Sequence, residues 1–198
     1  VFGNYKYILS LFGTFAFFAL PGVGLSITRS IAKGYDGSFR DGFRMIFRSS
    51  WIIAVTGLGT AGYFWFFLHK YDIAFLVGFT ALLMPLMEGT GSWKGFYDGK
   101  RAFRTKAFWS VTQDAFIFLC VAGSILIMQI SQIPTMLATL LIIGSVIGGQ
   151  ALVNILSVRY ALNQIPLDAP RDPAMIPYGL HMTAATIPSA VANYIDGI

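Results

Sequence analysis

Charged residues are what this sequence has least of. Only 12% of its 198 residues are Asp, Glu, Lys or Arg, about half the content of a typical soluble domain. Hydrophobic residues make up 56% of the chain. This composition excludes a water-exposed globular domain, which needs more charge to cover its surface. It also excludes a disordered chain, which is poor in apolar residues.

Residues that bind metals or carry out catalysis are scarce as well. The single cysteine, Cys120, lies within an apolar run, which excludes a disulfide framework, a C-x-x-C redox pair and a cysteine zinc site. The two histidines, His69 and His181, belong to no metal-binding pattern such as H-E-x-x-H. The sequence also lacks G-x-S-x-G and the P-loop. We therefore predict a protein that is not an enzyme and that uses no cofactor or metal.

Long uncharged stretches are the main feature that is present. Five of them are long enough to cross a hydrocarbon core of about 30 Å, at residues 7–28, 49–68, 73–93, 107–133 and 135–158. The third is interrupted only by Glu88 and the fourth only by Asp114. A sixth apolar stretch begins near Met175 and continues to Ile198. The prediction is an all-α polytopic membrane protein with five complete transmembrane helices plus the start of a sixth.

The basic residues alternate between the loops. Twelve of the fourteen lie between the first and second stretches, between the third and fourth, or after the fifth, as expected of cytoplasmic loops. The net charge of +5 is thereby explained without nucleic acid as a partner. This topology places the first residues outside, and since no signal peptide precedes them we expect a further span upstream.

The expected organisation has three parts. Residues 1–162 form the five-helix membrane part, residues 163–177 form a proline-rich cytoplasmic linker, and residues 178–198 begin a second membrane unit. Within the first stretch, Leu20-Pro21-Gly22 predicts a kink. Gly144 and Gly148 form a G-x-x-x-G pattern in the fifth stretch that is suited to close helix crossing.

Polar residues inside the predicted helices are the candidate site. Asp114 lies eight residues after Lys106, which is roughly 12 Å deeper at 1.5 Å per residue. An ionisable group at depth costs about 2.5 to 3.5 kcal/mol even on the lenient scales. We predict that Asp114 and its neighbour Gln113 face a hydrated cavity and handle a proton, a cation or substrate. The alternative is a structural carboxylate satisfied by a neighbouring helix.

Four further polar residues each allow two interpretations. Gln150 and Asn154 are spaced i, i+4, so they either line the same cavity or bond neighbouring helices together. Arg29 ends the first stretch, where it either binds a phosphate from the cytoplasmic side or anchors the helix at the membrane surface. Glu88 is expected to reach the membrane–water interface, or to pair with a lysine of the basic stretch that begins at Lys94, rather than to bind substrate.

Several segments resemble a known family. The stretch 10–39, with Leu-Pro-Gly at 20–22, Ser-Ile-Thr-Arg-Ser at 26–30 and Ala-Lys-Gly-Tyr-Asp-Gly-Ser-Phe at 32–39, closely resembles the second-helix region of bacterial oligosaccharide flippases. These belong to the multidrug/oligosaccharidyl-lipid/polysaccharide exporter superfamily. Residues 95–106 resemble the loop between helices four and five of that family. Residues 178–181 followed by 194–196 resemble the opening of its helix seven.

The resemblance implies a fold and a function. The stretches would be helices two to six and the start of helix seven, and 163–177 would join two lobes. The lobes would flip a polyprenyl-diphosphate-linked oligosaccharide from the inner to the outer leaflet of a bacterial or archaeal cytoplasmic membrane by alternating access. Coupling to a proton, to sodium or to the membrane potential stays open, and the depth of Asp114 makes proton or cation coupling a hypothesis. The expected substrate-binding residues are Arg29, Gln113, Asp114, Gln150, Asn154 and Asp196, with membrane lipids as further partners.

Two alternatives remain open from the sequence. A multidrug exporter of the same superfamily would share the architecture. A polytopic glycan polymerase or acyltransferase belongs to a different class and normally carries its chemistry on a long outer loop. The outer loops here are short, which favours a transporter.

Overall fold

The computed structural model describes residues 2–195, with side chains described for 3, 6–8 and 10–186. Helices account for nearly all regular structure in this part of the chain, and no β-strand occurs in it. Eight α-helices follow one another: α1 (Phe2–Phe15), α2 (Pro21–Ala32), α3 (Ser38–Phe66), α4 (Tyr71–Gly89), α5 (Trp93–Gly99), α6 (Phe103–Ser131), α7 (Thr135–Asn163) and α8 (Met175–Ile195). A 3₁₀ turn at Ala16–Ala19 separates α1 from α2. The all-α prediction is confirmed.

Three helical units are long and apolar enough to cross a membrane: Tyr71–Gly99, which combines α4 and α5, then α6 and α7. Several helices of this kind indicate a membrane protein. The expected five complete spans are not confirmed. The helix α3 has 29 residues but is not among these units, because its first third carries Arg40, Asp41, Arg44 and Arg48 and because Gly, Ser and Thr are frequent in the rest.

The first predicted span is a bent pair rather than one straight helix. The segments Lys6–Ala19 and Pro21–Ala32 pass the same test together, with a bend of 48° between them. The bend centres on Leu20, which adopts a left-handed conformation (φ 57°, ψ 64°), and on Pro21, which opens α2 where no helical N–H is needed. The expected kink is therefore present.

Apolar packing forms two separate clusters, one on each side of this bend. One cluster joins α1, α3, α4 and α7 and includes Phe12, Ile53 and Ile147. The other joins α2, α3, α5, α7 and the start of α8 and includes Ile27, Phe39 and Trp93. At the break itself, Leu20 packs against the second cluster, and Ala19 just before it belongs to the first.

The helix α6 lies at the margin of the bundle. In its most apolar stretch 6% of the residues are buried, against 39% in α7 and 50% in the α4–α5 unit. It packs mainly along α7. One face of α6 is thus held by the bundle and most of its circumference is open to the surroundings.

Candidate functional site: a polar cavity at a helix break

A cavity of about 410 Å³ lies at the bend between α1 and α2. Its apolar wall comes from the 3₁₀ turn and from Leu20 and Pro21. Its polar wall comes from the end of α4, the start of α5 and the middle of α7, with Glu88, Ser92, Lys94, Gln150 and Asn154. A broken helix facing polar side chains is the arrangement by which membrane transporters build binding sites.

Asn154 organises the polar wall. It is 1% exposed, and its Oδ1 accepts hydrogen bonds from Trp93 Nε1 at 2.8 Å and from Gln113 Nε2 at 2.9 Å. Its Nδ2 donates to the Met87 carbonyl at 3.0 Å. A single amide therefore ties α4, α5 and α6 to α7. The interhelical reading of Asn154 is the one its contacts support, and at the cavity it acts as a positioning residue.

Gln113 and Gln150 lie beside that amide, and Gln113 Nε2 also donates to the Gln150 carbonyl at 3.5 Å. Gln113 is buried on α6, with its side chain directed towards α7. Gln150 lies one turn before Asn154 and lines the cavity, as their i, i+4 spacing predicts. Of the six residues predicted to bind substrate, the structure brings these three together.

Glu88 and Lys94 place one acidic and one basic side chain at the same cavity. Glu88 is in the last turn of α4 and partly buried, and Lys94 is exposed and lies 5.5 Å from the Trp93 ring centroid. Sequence reasoning gave Glu88 no part in the site. The sequence feature that could have identified Glu88 is its position six residues before Lys94, at the junction of α4 and α5. Only the bend at Leu20 brings that junction to a cavity.

Ser92 supplies an uncommitted hydroxyl. It is 7% exposed, and its Oγ has no hydrogen-bond partner within the described part of the chain. Buried hydroxyls are usually paired, so an unpaired one on a cavity wall marks a position where a bound molecule or water can donate or accept.

Asp114 lies elsewhere. Successive residues of an α-helix are rotated by about 100°, so with Gln113 turned towards α7, Asp114 points to the exposed side of α6. It does not line the cavity. The two neighbours that the sequence places at the same depth therefore face different surroundings.

Arg29 also lies away from the cavity, in the last turn of α2. Its guanidinium lies 4.2 Å from the centroid of the Tyr178 ring at the start of α8, a cation–π contact. The predicted residue Asp196 lies outside the described residues. Within the described part, no group of three His, Cys, Asp or Glu side chains is close enough to hold a metal ion.

The segment that precedes α8 is fastened to the turn between α2 and α3. Ser30 Oγ donates to Asp172 Oδ2 at 2.9 Å, and the Asp172 N–H donates to Ser38 Oγ at 2.7 Å. The Gly37 N–H donates to the Pro170 carbonyl at 2.9 Å. Hydrogen bonds from the Ala174 N–H and from Ser30 lower the pKa of Asp172 below its ordinary value.

Directly beyond the break, α2 and α8 approach each other at backbone distance. The Gly22 N–H donates to Thr183 Oγ1 at 3.1 Å, and a Cβ on Gly22 would lie 2.3 Å from the Thr183 nitrogen. Glycine at position 22 is thus required by the fold, and it joins α8 to the first turn of α2, from which Pro21 and Gly24 line the cavity. In comparisons with known proteins, the chain matched no protein-family model, no curated protein and no solved structure.

Proposed function

We propose that this chain forms part of a membrane transporter that flips a polyprenyl-diphosphate-linked oligosaccharide from the inner to the outer leaflet for surface polysaccharide synthesis. The observation that carries the proposal is the cavity at the broken helix, which is lined by Glu88, Lys94 and Gln150. Ionisable residues within membrane segments are costly and mark transport pathways. A cavity at a helix break between two apolar clusters suits a substrate that must cross the bilayer.

The chemistry of the cavity matches the proposed head group. Sugar hydroxyls both donate and accept hydrogen bonds, which a glutamine amide, a carboxylate and the unpaired Ser92 hydroxyl can satisfy. A diphosphate is anionic, and Lys94 offers an ammonium at the rim. The carboxylate of Glu88 opposes binding of phosphate beside it, so we place the sugars rather than the diphosphate against Glu88.

Two predicted roles extend the proposal beyond the cavity. Asp114, on the open side of α6, is proposed to couple transport to a proton or sodium gradient. The proposed coupling predicts that Asp114→Asn alters the pH dependence of export, and an unchanged rate and pH profile would refute it. Arg29 is proposed to meet the substrate from the cytoplasmic side of a bacterial or archaeal inner membrane, next to Tyr178.

Deleting the gene tests the proposed substrate. We expect surface polysaccharide to be lost and lipid-linked oligosaccharide to accumulate in the inner leaflet, where externally added glycosidase cannot reach it in intact spheroplasts. Expression of the gene in trans should restore both. Normal polysaccharide together with increased sensitivity to cationic dyes would instead identify a multidrug exporter, in which Glu88 would bind the organic cation.

A further inference from the structure

A second cavity lies between α3 and the start of α8, on the side of the helix break where the basic residues predict the cytoplasm. Its volume is about 680 Å³. Arg44 and Arg48 of α3 form one wall, and Leu20, Met45 and Ile176 contribute apolar surface. Leu20 also lines the polar cavity, so the two cavities adjoin at the residue where the helix breaks. We refer to this second cavity as the arginine groove.

The two arginines of the groove have no partner within the described part of the chain, unlike their neighbours. Arg40 donates to the Ile165 carbonyl at 2.7 Å, and Arg29 lies over Tyr178. Asp41, the acidic residue of the groove, lies 3.6 Å from the Arg171 guanidinium, which offsets its charge. Arg44 and Arg48 take part in no such pair, so the groove lining has two unpaired guanidiniums against the one carboxylate of Asp41.

The spacing of the two arginines and their position along α3 suit a phosphorylated amphiphile. At i, i+4 their side chains project from one face of α3, one above the other. Arg48 lies ten residues after Ser38, which is roughly 15 Å into the helix at 1.5 Å per residue. The uncharged residues 49–66 follow it. With residues 49–68 as the predicted span, the guanidiniums lie at the expected boundary between the polar and hydrocarbon layers, with apolar side chains beside them.

We propose that the arginine groove binds the diphosphate of an isoprenoid-linked molecule, with Arg44 and Arg48 donating to the phosphate oxygens and the isoprenoid lying against Leu20 and Ile176. Guanidinium groups bind phosphate bidentately. The choice of an isoprenoid diphosphate rests on the proposed function. The adjoining polar cavity would then receive the sugars while the phosphates stay in the groove.

Ligand binding by purified protein in detergent tests this site. The probes are farnesyl diphosphate, inorganic diphosphate and phosphatidylglycerol, each measured by equilibrium binding. We expect farnesyl diphosphate to bind at least tenfold more tightly than either of the others. The double variant Arg44→Gln/Arg48→Gln should lose at least tenfold in affinity for it. Arg104→Gln, an exposed arginine at the start of α6, is the matched control and should change affinity less than twofold.

A conservative variant keeps the test decisive if the double glutamine variant unfolds. Arg44→Lys/Arg48→Lys retains both charges but loses bidentate donation, and we expect a three- to tenfold loss of affinity with an unchanged Tm. Equal affinity of wild type and both double variants for farnesyl diphosphate would overturn the proposal. Inorganic diphosphate or phosphatidylglycerol binding as tightly as farnesyl diphosphate would also overturn it, by identifying a site for free phosphates or for bulk anionic lipid.

The two proposals fail separately. If deletion of the gene leaves surface polysaccharide intact, the proposed function is refuted whatever the groove binds. If deletion abolishes export but the groove variants bind farnesyl diphosphate like wild type, the groove proposal is refuted and the transporter proposal stands.

Discussion

Two helix contacts in this chain, α2 with α8 and α6 with α7, depend on different physical features. At the first, Gly22 and Gly179 let the backbones meet, and a Cβ on Gly179 would lie 2.8 Å from Ser26 Oγ. At the second, a Cβ on Gly149 would make ordinary contact with Ile117 at 3.5 Å, and one on Gly148 would meet nothing within 4 Å. The first contact depends on backbone shape, whereas the second depends on side-chain hydrogen bonds.

Those hydrogen bonds run along the α6–α7 contact. The hydroxyls of Ser124 and Ser145 lie 2.6 Å apart, and Gln113 donates to Asn154 further along. Gly144 and Gly148 line a cavity of about 760 Å³ next to Phe79 instead of a close crossing. Small residues at i, i+4 therefore permit two helices to pack closely, but they do not by themselves bring a second helix into backbone contact.

The largest expected effect comes from adding volume at the α2–α8 contact. Gly22→Leu should destabilise the protein by about 3 kcal/mol or more, because overpacking against backbone that cannot move exceeds the usual 1–3 kcal/mol. Gly148→Leu is the matched control and should stay within about 1 kcal/mol, since its side chain enters open space. Thermal unfolding in detergent measures both. Equal losses of Tm would remove the proposed distinction between the two contacts.

A smaller effect is expected from removing the polar centre of the α6–α7 contact. Asn154→Leu leaves Trp93 Nε1, Gln113 Nε2 and the Met87 carbonyl without their partner. A buried group left unpaired costs about 1–3 kcal/mol, and we expect a loss in that range from denaturant unfolding. Asn163→Leu, at the exposed end of α7, should change stability by less than about 0.5 kcal/mol. Similar losses for both variants would argue against Asn154 as the organising residue.

Two neighbouring residues of α6, the exposed Asp114 and the buried Gln113, should respond differently to substitution. Asp114→Asn should alter the free energy of unfolding by less than about 0.5 kcal/mol, as for other exposed positions, whereas Gln113→Leu disrupts the bond to Asn154. A strong destabilisation by Asp114→Asn, measured in the same unfolding experiment, would mean that this carboxylate has a structural partner.

The smallest effect concerns pH at the segment before α8. Because the folded-state pKa of Asp172 is lowered, its contribution to stability is present above the unfolded-state pKa and disappears as pH falls through the folded-state pKa. Acidification below about pH 4, the ordinary range for aspartate, should therefore loosen residues 164–174. Hydrogen exchange of these residues should rise on acidification after correction for intrinsic rates. Asp172→Asn should abolish that pH dependence, and an unchanged dependence would assign it to another group.

Much of this fold can be predicted from the sequence, because long uncharged runs between charged loops have few alternatives to membrane helices. The kink at Leu20-Pro21 and the shared face of Gln150 and Asn154 follow from proline chemistry and helical periodicity. The direction in which Asp114 faces cannot be predicted in this way. Residue count sets the depth of a residue along a helix, whereas contacts with other helices decide which way its side chain faces. Glu88 was missed for the same reason, since only the bend brings the end of α4 to the cavity.

The measurement that tests the central claim most directly is polysaccharide export in a deletion strain expressing cavity variants. On this account Lys94→Gln and Gln150→Leu reduce export at least fivefold at equal protein level in the membrane, because both side chains line the proposed substrate cavity. Lys70→Gln, an exposed lysine in the turn before α4, restores export fully. Full export by both cavity variants would contradict the claim that the cavity at the helix break binds the transported substrate.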